Sequence, residues 1–292
     1  MAMVGPPGVG KTLLAERLPG ILPDLDDDEA IEVAAIHSVA GLSRADFNRP
    51  PYRAPHHSAS SASLLGAAAG HRVRPGAVTL AHRGVLFLDE APEFARPSLE
   101  GLRQPMESGQ VALHRAGWSG LLPAAFQLII AANPCPCGQR TGTGAACSCP
   151  PQAVRRYAAR LSGPLLDRVD IRLRMSQPAP AELSSGEPGD SSAHTRSRVI
   201  EARDRARSRY AAQPWSTNAA VPAAQLRRHW PPDDAGSELL CDVEKGSVNL
   251  RGVDRVLRMS WTVADLAGRS RPGRTEVATA LGLRGASLSW SA

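Results

Sequence analysis

The sequence predicts an α/β domain built on a parallel sheet, followed by a smaller all-helical domain, and three observations predict it. A glycine-rich loop, Gly5-Pro6-Pro7-Gly8-Val9-Gly10-Lys11-Thr12, follows a short apolar stretch and precedes a helical one. The apolar run Val85 to Leu88 has strand length and suits a strand covered on both faces, and Phe126 to Ala132 reads as the next buried strand. Beyond a Ser/Gly/Pro-rich stretch the pattern is helical only. These features place a core over residues 1–178, a linker over 179–192 and a helical domain over 193–292.

Taken in order, Met1 to Val4 reads as the end of a buried strand, short for the centre of a sheet. Residues 11–19 continue as a helix that stops near Pro19. The acidic run Asp24 to Glu29 precedes a helix over 29–40 and suits its N-terminus, where the helix dipole favours negative charge. Residues 48–84, rich in Pro, His, Ser, Ala and Gly, read as loops around a small helix. After the strand at 85–88 a helix is expected over 97–107, and alternation around Gly117 and Gly120 predicts a hairpin over 110–123. The strand ending at Ala132 closes on Asn133-Pro134. A helix over 152–161, a turn at 164–168 and an alternating strand from Val169 to Leu173 complete the core. The tail carries helical stretches at 193–211, 223–228, 236–243, 250–267 and 275–283.

At 292 residues with 42% apolar content, the chain can bury a sizeable core. It contains no apolar run of about 18 residues and no secretory signal, so a cytoplasmic location away from membranes is expected. The formal charge is +6, and only Lys11 and Lys245 are lysines among 34 basic residues. An arginine-rich coding bias and a nucleic-acid partner both fit that balance. A lysine inside the glycine-rich loop is hard to ascribe to chance in so lysine-poor a chain.

The loop satisfies G-x-x-x-x-G-K-[ST] in full, the pattern in which backbone N–H groups cradle nucleotide phosphates. Lys11 would reach the β- and γ-phosphates of ATP, and the Thr12 hydroxyl would take a place on Mg²⁺. Asp89-Glu90 ends an apolar strand, where ligands bind in open α/β sheets. Asp89 would hold Mg²⁺ through water and Glu90 would orient the attacking water; two acids opening the next helix is the plainer alternative. Asn133 ends the next strand and suits a hydrogen bond to the γ-phosphate or that water. Arg168, in Leu165-Leu166-Asp167-Arg168-Val169-Asp170, fits either a finger reaching a neighbouring subunit's nucleotide or a local ion pair with Asp167 or Asp170. Arg251 opens the long helix of the all-helical part. Cys135-x-Cys137 and Cys147-x-Cys149 offer four thiolates within fifteen positions, which fits Zn²⁺ or a surface loop of free thiols, the C-x-C spacing being tighter than usual. His56-His57, with His37, His71 and His82, read as surface or packing histidines before a second metal site. The arginine stretch 196–209 reads as a solvated helix face before a polyanion contact.

Taken together, GPPGVGKTLLAERLPGILP, PYRAPHHSASSASLLG, RPGAVTLAHRGVLFLDEAPEF, LRQPMESGQVALHRA, NPCPCG, LSGPLLDRVDI and NLRGVDRVLRMSWTVADLAG resemble the magnesium-chelatase-like branch of the AAA+ ATPases, specifically the YifB/ComM family. The resemblance covers nearly the whole chain. It implies a P-loop AAA+ core with a helical lid, ATP hydrolysis and a hexameric ring. Arg168 then matches the trans-acting finger, Arg251 the lid's sensor arginine and Asn133 the sensor of the core. Members are taken to be DNA motors driving branch migration in natural transformation, which makes the hairpin, with His114 and Arg115 near its tip, a candidate DNA-facing element. The motor subunit of a metal chelatase, remodelling a protein partner, and a non-hydrolysing remnant are the competing readings. Family members carry an N-terminal Lon-protease-like domain ahead of the phosphate loop, which this sequence lacks; a start upstream of Met1 and a degraded copy are the two readings of that departure. The stretch from Trp215 to Pro232 is richer in Pro and Trp than the family's lid helix.

Overall fold

The computed structural model describes all residues except 44–45, 70–71, 116–117, 141–143, 145, 178–188, 246–249 and 286–292. The described residues of 1–169 and 173–189 form one compact unit, and those of 170–172 and 190–287 another. Up to residue 174 the chain holds β1 (Ala2–Val4), α1 (Lys11–Arg17), α2 (Asp27–Val39), β2 (Tyr52–Arg53), α3 (Ser61–Leu65), β3 (Gly66–Ala69), β4 (Arg72–Pro75), α4 (Ala77–Leu80) and β5 (Val85–Leu88). There follow α5 (Arg96–Gly101), α6 (Arg103–Ser108), β6 (Gln110–Arg115), β7 (Trp118–Pro123), β8 (Gln127–Ala132), α7 (Pro151–Ala158), α8 (Gly163–Leu166) and β9 (Arg172–Arg174).

Five of these strands form one sheet in the order β2-β5-β8-β1-β9. The pairs β1/β8, β8/β5 and β5/β2 are parallel, with Met3 opposite Ala131 and Phe87 opposite Ile129. Because side chains alternate along a strand, Ala2, Val4, Leu86, Leu88, Leu128, Ile130 and Ala132 enter one apolar cluster. Met3, Val85, Phe87, Ile129 and Ala131 enter another on the opposite face. Both faces are therefore covered, which is why the strands read as continuous apolar runs. Short as it is, β1 is buried along all three residues.

Four expectations shift. Residues 48–84 are more than loops around a helix: Tyr52 and Arg53 form β2 at the edge of the main sheet, and β3 and β4 pair as an antiparallel hairpin. A two-residue strand shows no alternation to read, and Gly and Pro mask the hairpin. The helix expected over 97–107 is two helices, because Pro105 has no N–H to donate to Gly101. The turn at 164–168 is a helical turn, α8, capped by the Ser162 side chain on the Leu165 N–H. The strand expected from Val169 starts at Arg172 instead, since the Val169 N–H closes that turn on the Leu166 carbonyl and its side chain is buried. The predicted hairpin is present as β6 and β7, whose last described pair is Arg115 with Trp118.

The acidic run enters α2 rather than only preceding it: the Asp26 carboxylate accepts from the Glu29 N–H while Glu29 reaches back to the Asp26 N–H. That reciprocal cap satisfies two N–H groups that the first turn leaves unpaired.

The second unit contains α9 (Ser192–Arg209), α10 (Ala223–His229), α11 (Asp234–Lys245), α12 (Leu250–Leu266) and α13 (Arg274–Gly285). Its core gathers Tyr210, Val221, Leu226, Val253, Val256, Leu257, Trp261 and Val277. The Pro/Trp-rich stretch belongs to that core: Trp215 and Trp230 pack against it, and the Trp261 indole N–H donates to the Trp230 carbonyl at 2.9 Å. Arg209 lies 3.9 Å from the centre of the Trp261 ring and pairs with Asp265, which is 1% exposed and also accepts from Asn218 at 2.8 Å. Replacing Asp265 by Ala strands the Arg209 charge in a mostly buried place. The expected loss is about 3–5 kcal/mol of stability in this unit, measured by denaturant unfolding followed through tryptophan fluorescence.

Candidate nucleotide site

The site is built where β1, β5 and β8 end. The Gly5 N–H donates to the Ala132 carbonyl at 3.2 Å, extending the ladder of β1 into the glycine-rich loop. Gly8 and Gly10 then take φ of 76° and 90°, left-handed backbone that side-chain-bearing residues adopt at a cost. Gly10 turns the chain into α1, whose first helical bond runs from the Leu14 N–H to its carbonyl at 2.9 Å.

Lys11, 7% exposed, has three N–H donors and finds three acceptors: the Gly5 carbonyl at 2.7 Å, the Pro6 carbonyl at 2.9 Å and the Asn133 Oδ1 at 3.1 Å. Burial pulls its pKa below the ordinary lysine value, while Asp89 and Glu90 pull it back up. The Thr12 hydroxyl donates to the Asp89 Oδ2 at 2.8 Å. The other carboxylate oxygen of Asp89 accepts from the Glu90 N–H at 2.9 Å. Glu90 itself has φ 48° and ψ 41°, a left-handed conformation that costs a non-glycine residue on the order of 1 kcal/mol. Its side chain makes no cap bond to the short 3-10 turn that follows; the carboxylate meets His57 Nδ1 at 3.2 Å instead. His57 in turn lies 4.1 Å, ring to ring, from His56.

Lys11, Thr12, Asp89, Glu90 and Asn133 are thus gathered from loci up to 122 positions apart. Arg168 sits elsewhere. Its guanidinium donates to the Pro164 carbonyl at 2.6 Å and to Glu107 at 2.5 Å, an acid partner other than the two its own stretch of sequence offered. It lines a cleft of about 600 Å³ with Ser61, Glu100, Gln104 and Leu113, and no phosphate-loop residue lies among the residues of that lining. Arg251 is the second residue of α12, in the helical unit.

The four cysteines converge, with all four sulfurs within 4.8 Å of one another. Sγ separations are 3.3 Å for Cys135–Cys137, 3.7 Å for Cys137–Cys147 and 3.6 Å for Cys147–Cys135. Cys135 is fully buried. Burial pushes its thiol up to about 12, whereas the Gln139 backbone and the Cys135 thiol bring Cys137 down to about 6. Among the described residues no second group of this kind gathers. His37 faces the Leu80 carbonyl at 3.2 Å and His82 pairs with Glu32 at 3.1 Å, so both are packing groups; His71 lies outside the described residues.

Two neighbours of the site were not assigned to it from the sequence: His57, read as a surface or packing histidine, meets Glu90 through the fold, and Tyr157, from α7, hydrogen-bonds the Asn133 backbone. The arginines of 196–209 engage nearby acceptors, as in Arg205–Glu201, Arg207–Asp204 and Arg209–Asp265, which fits the reading of a helix face better than a polyanion contact. No helix among the described residues is long and apolar enough to cross a membrane.

A parallel sheet of this strand order, with a phosphate-binding loop after one strand and an acidic pair after its second neighbour, defines a P-loop AAA+ core with a C-terminal helical domain. The family described as "Magnesium chelatase, subunit ChlI" matches residues 1–183, and "Magnesium chelatase, subunit ChlI C-terminal" matches 189–284. The chain is 40% identical to the competence protein ComM of Haemophilus influenzae, over 97% of this chain and 55% of that protein. It is 40% identical to the uncharacterized protein YifB of Escherichia coli, over 91% and 52%, and 48% identical to an uncharacterized protein of Mycobacterium tuberculosis, over 97% and 56%. The chain belongs to the magnesium-chelatase-like YifB/ComM family. It spans about half the length of these curated relatives.

Proposed function

We propose that this chain binds ATP with Mg²⁺ and hydrolyses it as one subunit of a homo-oligomeric ring, of the hexameric type, acting on DNA in the cytoplasm. The observation that carries the nucleotide reading is the Thr12–Asp89 hydrogen bond of 2.8 Å. It joins the residue after the phosphate-loop lysine to the first acid of β5, two hard oxygen donors of the kind Mg²⁺ takes.

Thr12 would bind the metal directly and Asp89 through water. Mg²⁺ there supplies neutralisation of charge on the phosphate oxygens. The backbone of Gly5 to Lys11 cradles the phosphates, and Lys11 exchanges its carbonyl acceptors for β- and γ-oxygens. Glu90 orients and polarises the water that attacks the γ-phosphorus as the bond to the bridging oxygen breaks. Asn133, which accepts from Lys11 at 3.1 Å, would report which phosphates are present. Arg168 would serve a neighbouring copy's nucleotide, and Arg251 would act from the lid.

Support for DNA comes from the family, one of whose members is a competence protein, and from the hairpin β6–β7 as the candidate contact. The side chains of His114 and Arg115 lie outside the description. A second reading, the motor of a metal chelatase remodelling a protein partner, is favoured by the family description itself. ATP turnover measured at low salt with and without single-stranded or branched DNA separates them, because phosphate contacts are strongest there. Stimulation supports the DNA motor; turnover indifferent to DNA sinks it. Failure to turn over ATP at all, with nucleotide bound, identifies a non-hydrolysing chain.

Lys11→Ala removes a charged donor to the phosphates, a contact worth about 1.5–3 kcal/mol. The expected outcome is roughly tenfold to hundredfold weaker binding of a fluorescent ATP analogue.

A further inference from the structure

We propose that Cys135, Cys137, Cys147 and Cys149 bind one Zn²⁺ and that this centre is a brace for the phosphate loop, so that nucleotide affinity depends on the metal. The nucleotide part rests on the reading of residues 5–12 given above; the brace itself does not.

The geometry of the four sulfurs comes first. Four thiolates at about 2.3 Å from a zinc in tetrahedral array stand about 3.8 Å from one another. The measured separations of 3.3, 3.6 and 3.7 Å, and the 4.8 Å limit for the whole set, fit one small soft cation. A surface loop of unrelated thiols has no reason to converge so, nor to bury Cys135 completely. The cysteines all lie in the connection from β8 to α7, whose described residues form no strand. A tetrathiolate cross-link is a direct way to give such a segment one conformation.

The second part is what the stapled segment touches. Gly138 follows Cys137 and closes a turn on the Cys135 carbonyl at 3.0 Å. A Cβ built on Gly138 would stand 2.7 Å from Cγ and Cδ of Pro7, in the phosphate loop, and 3.9 Å from Cγ of Asn133. The turn that holds Cys135 and Cys137 therefore lies directly against the phosphate loop, with no room for a side chain at Gly138. Cys135 is also two residues from Asn133, whose amide oxygen holds Lys11 at 3.1 Å. Fixing Cys135 fixes the end of β8, and fixing Gly138 closes one side of the loop.

The test uses the whole chain purified without chelators. Zinc is measured by elemental analysis, exchange of the amides of residues 5–12 by hydrogen–deuterium mass spectrometry, and binding by a fluorescent ATP analogue. Wild type and Cys241→Ser, the exposed cysteine outside the cluster, should each carry about one zinc, as a closed four-thiolate site does. Cys137→Ser and Cys147→Ser should lose it, with exchange at residues 5–12 at least about tenfold faster and nucleotide binding about tenfold weaker. Gly138→Ala, which crowds Pro7 and also strains a backbone at φ 77°, should keep the zinc yet speed the same amides; far-UV circular dichroism checks each variant for loss of fold. Zinc below about half an equivalent in wild type overturns the site, as a structural site of this type holds its metal through purification. Zinc lost with unchanged exchange at residues 5–12 overturns the brace. A wild type that holds zinc and shows the exchange effect but binds no nucleotide leaves the brace standing and overturns the ATP reading instead.

Discussion

Arg168→Ala is expected to lower ATP turnover by about 10³–10⁵ with nucleotide affinity nearly unchanged, the range found when an arginine finger is withdrawn. The argument starts from where Arg168 is. In its own chain the guanidinium is held by Glu107 and the Pro164 carbonyl, and it faces a cleft bounded by Ser61, Glu100, Gln104 and Leu113. The proposed function gives it the nucleotide of a neighbouring copy. A purely local role predicts something different: loss of Arg168, 10% exposed, and of its pair with Glu107, 45% exposed, should then lower stability by about 1–3 kcal/mol and leave chemistry intact. Mixing separates the two. At ATP concentrations too low to saturate Lys11→Ala, each variant should turn over little ATP alone, but in the proposed ring some mixed interfaces would join an intact loop to an intact arginine. Turnover recovered on mixing supports action in trans. A variant that binds ATP and turns over at the wild-type rate removes Arg168 from the reaction.

Much of the fold was legible because its strands are buried on both faces. Val85 to Leu88 and Leu128 to Ala132 read as unbroken apolar runs, and each lies inside the sheet rather than at its edge. The phosphate loop was legible because its chemistry demands glycines and a lysine at fixed spacing. What escaped was short or mediated by the fold. Tyr52–Arg53 makes a strand of two residues, too few to show a period. His57 reaches Glu90 across 33 positions, through a loop whose path no local pattern encodes. Glu107 was missed as a partner of Arg168 because adjacent acids in the sequence, Asp167 and Asp170, competed for the assignment. The convergence of the cysteines was readable as a spacing, but their contact with Pro7 through Gly138 exists only in three dimensions.

Glu90→Gln is expected to bind ATP within about twofold of wild type and to lose hydrolysis by at least about 10²–10³, the size of a general-base or charge-positioning contribution. The substitution keeps the shape of the side chain and removes its charge. The plainer role, capping the next turn, predicts no such loss, and the side chain makes no cap bond in the structure. What it does make is a contact of 3.2 Å with His57 Nδ1, on a backbone held left-handed at φ 48°. A non-glycine residue keeps that conformation only where its surroundings impose it, and here the Asp89 carboxylate grips its N–H at 2.9 Å. The strain thus aims the carboxylate beside the acid that pairs with Thr12, at the end of β5 where the phosphates would lie. Gln can still accept from His57, so fold and stability should stay within about 0.5 kcal/mol of wild type. Single-turnover hydrolysis of bound ATP is the deciding measurement, since it isolates chemistry from product release. Persistence of the wild-type rate would transfer the water-orienting role to another group at the ends of β5 and β8, with Asn133 the first to be replaced.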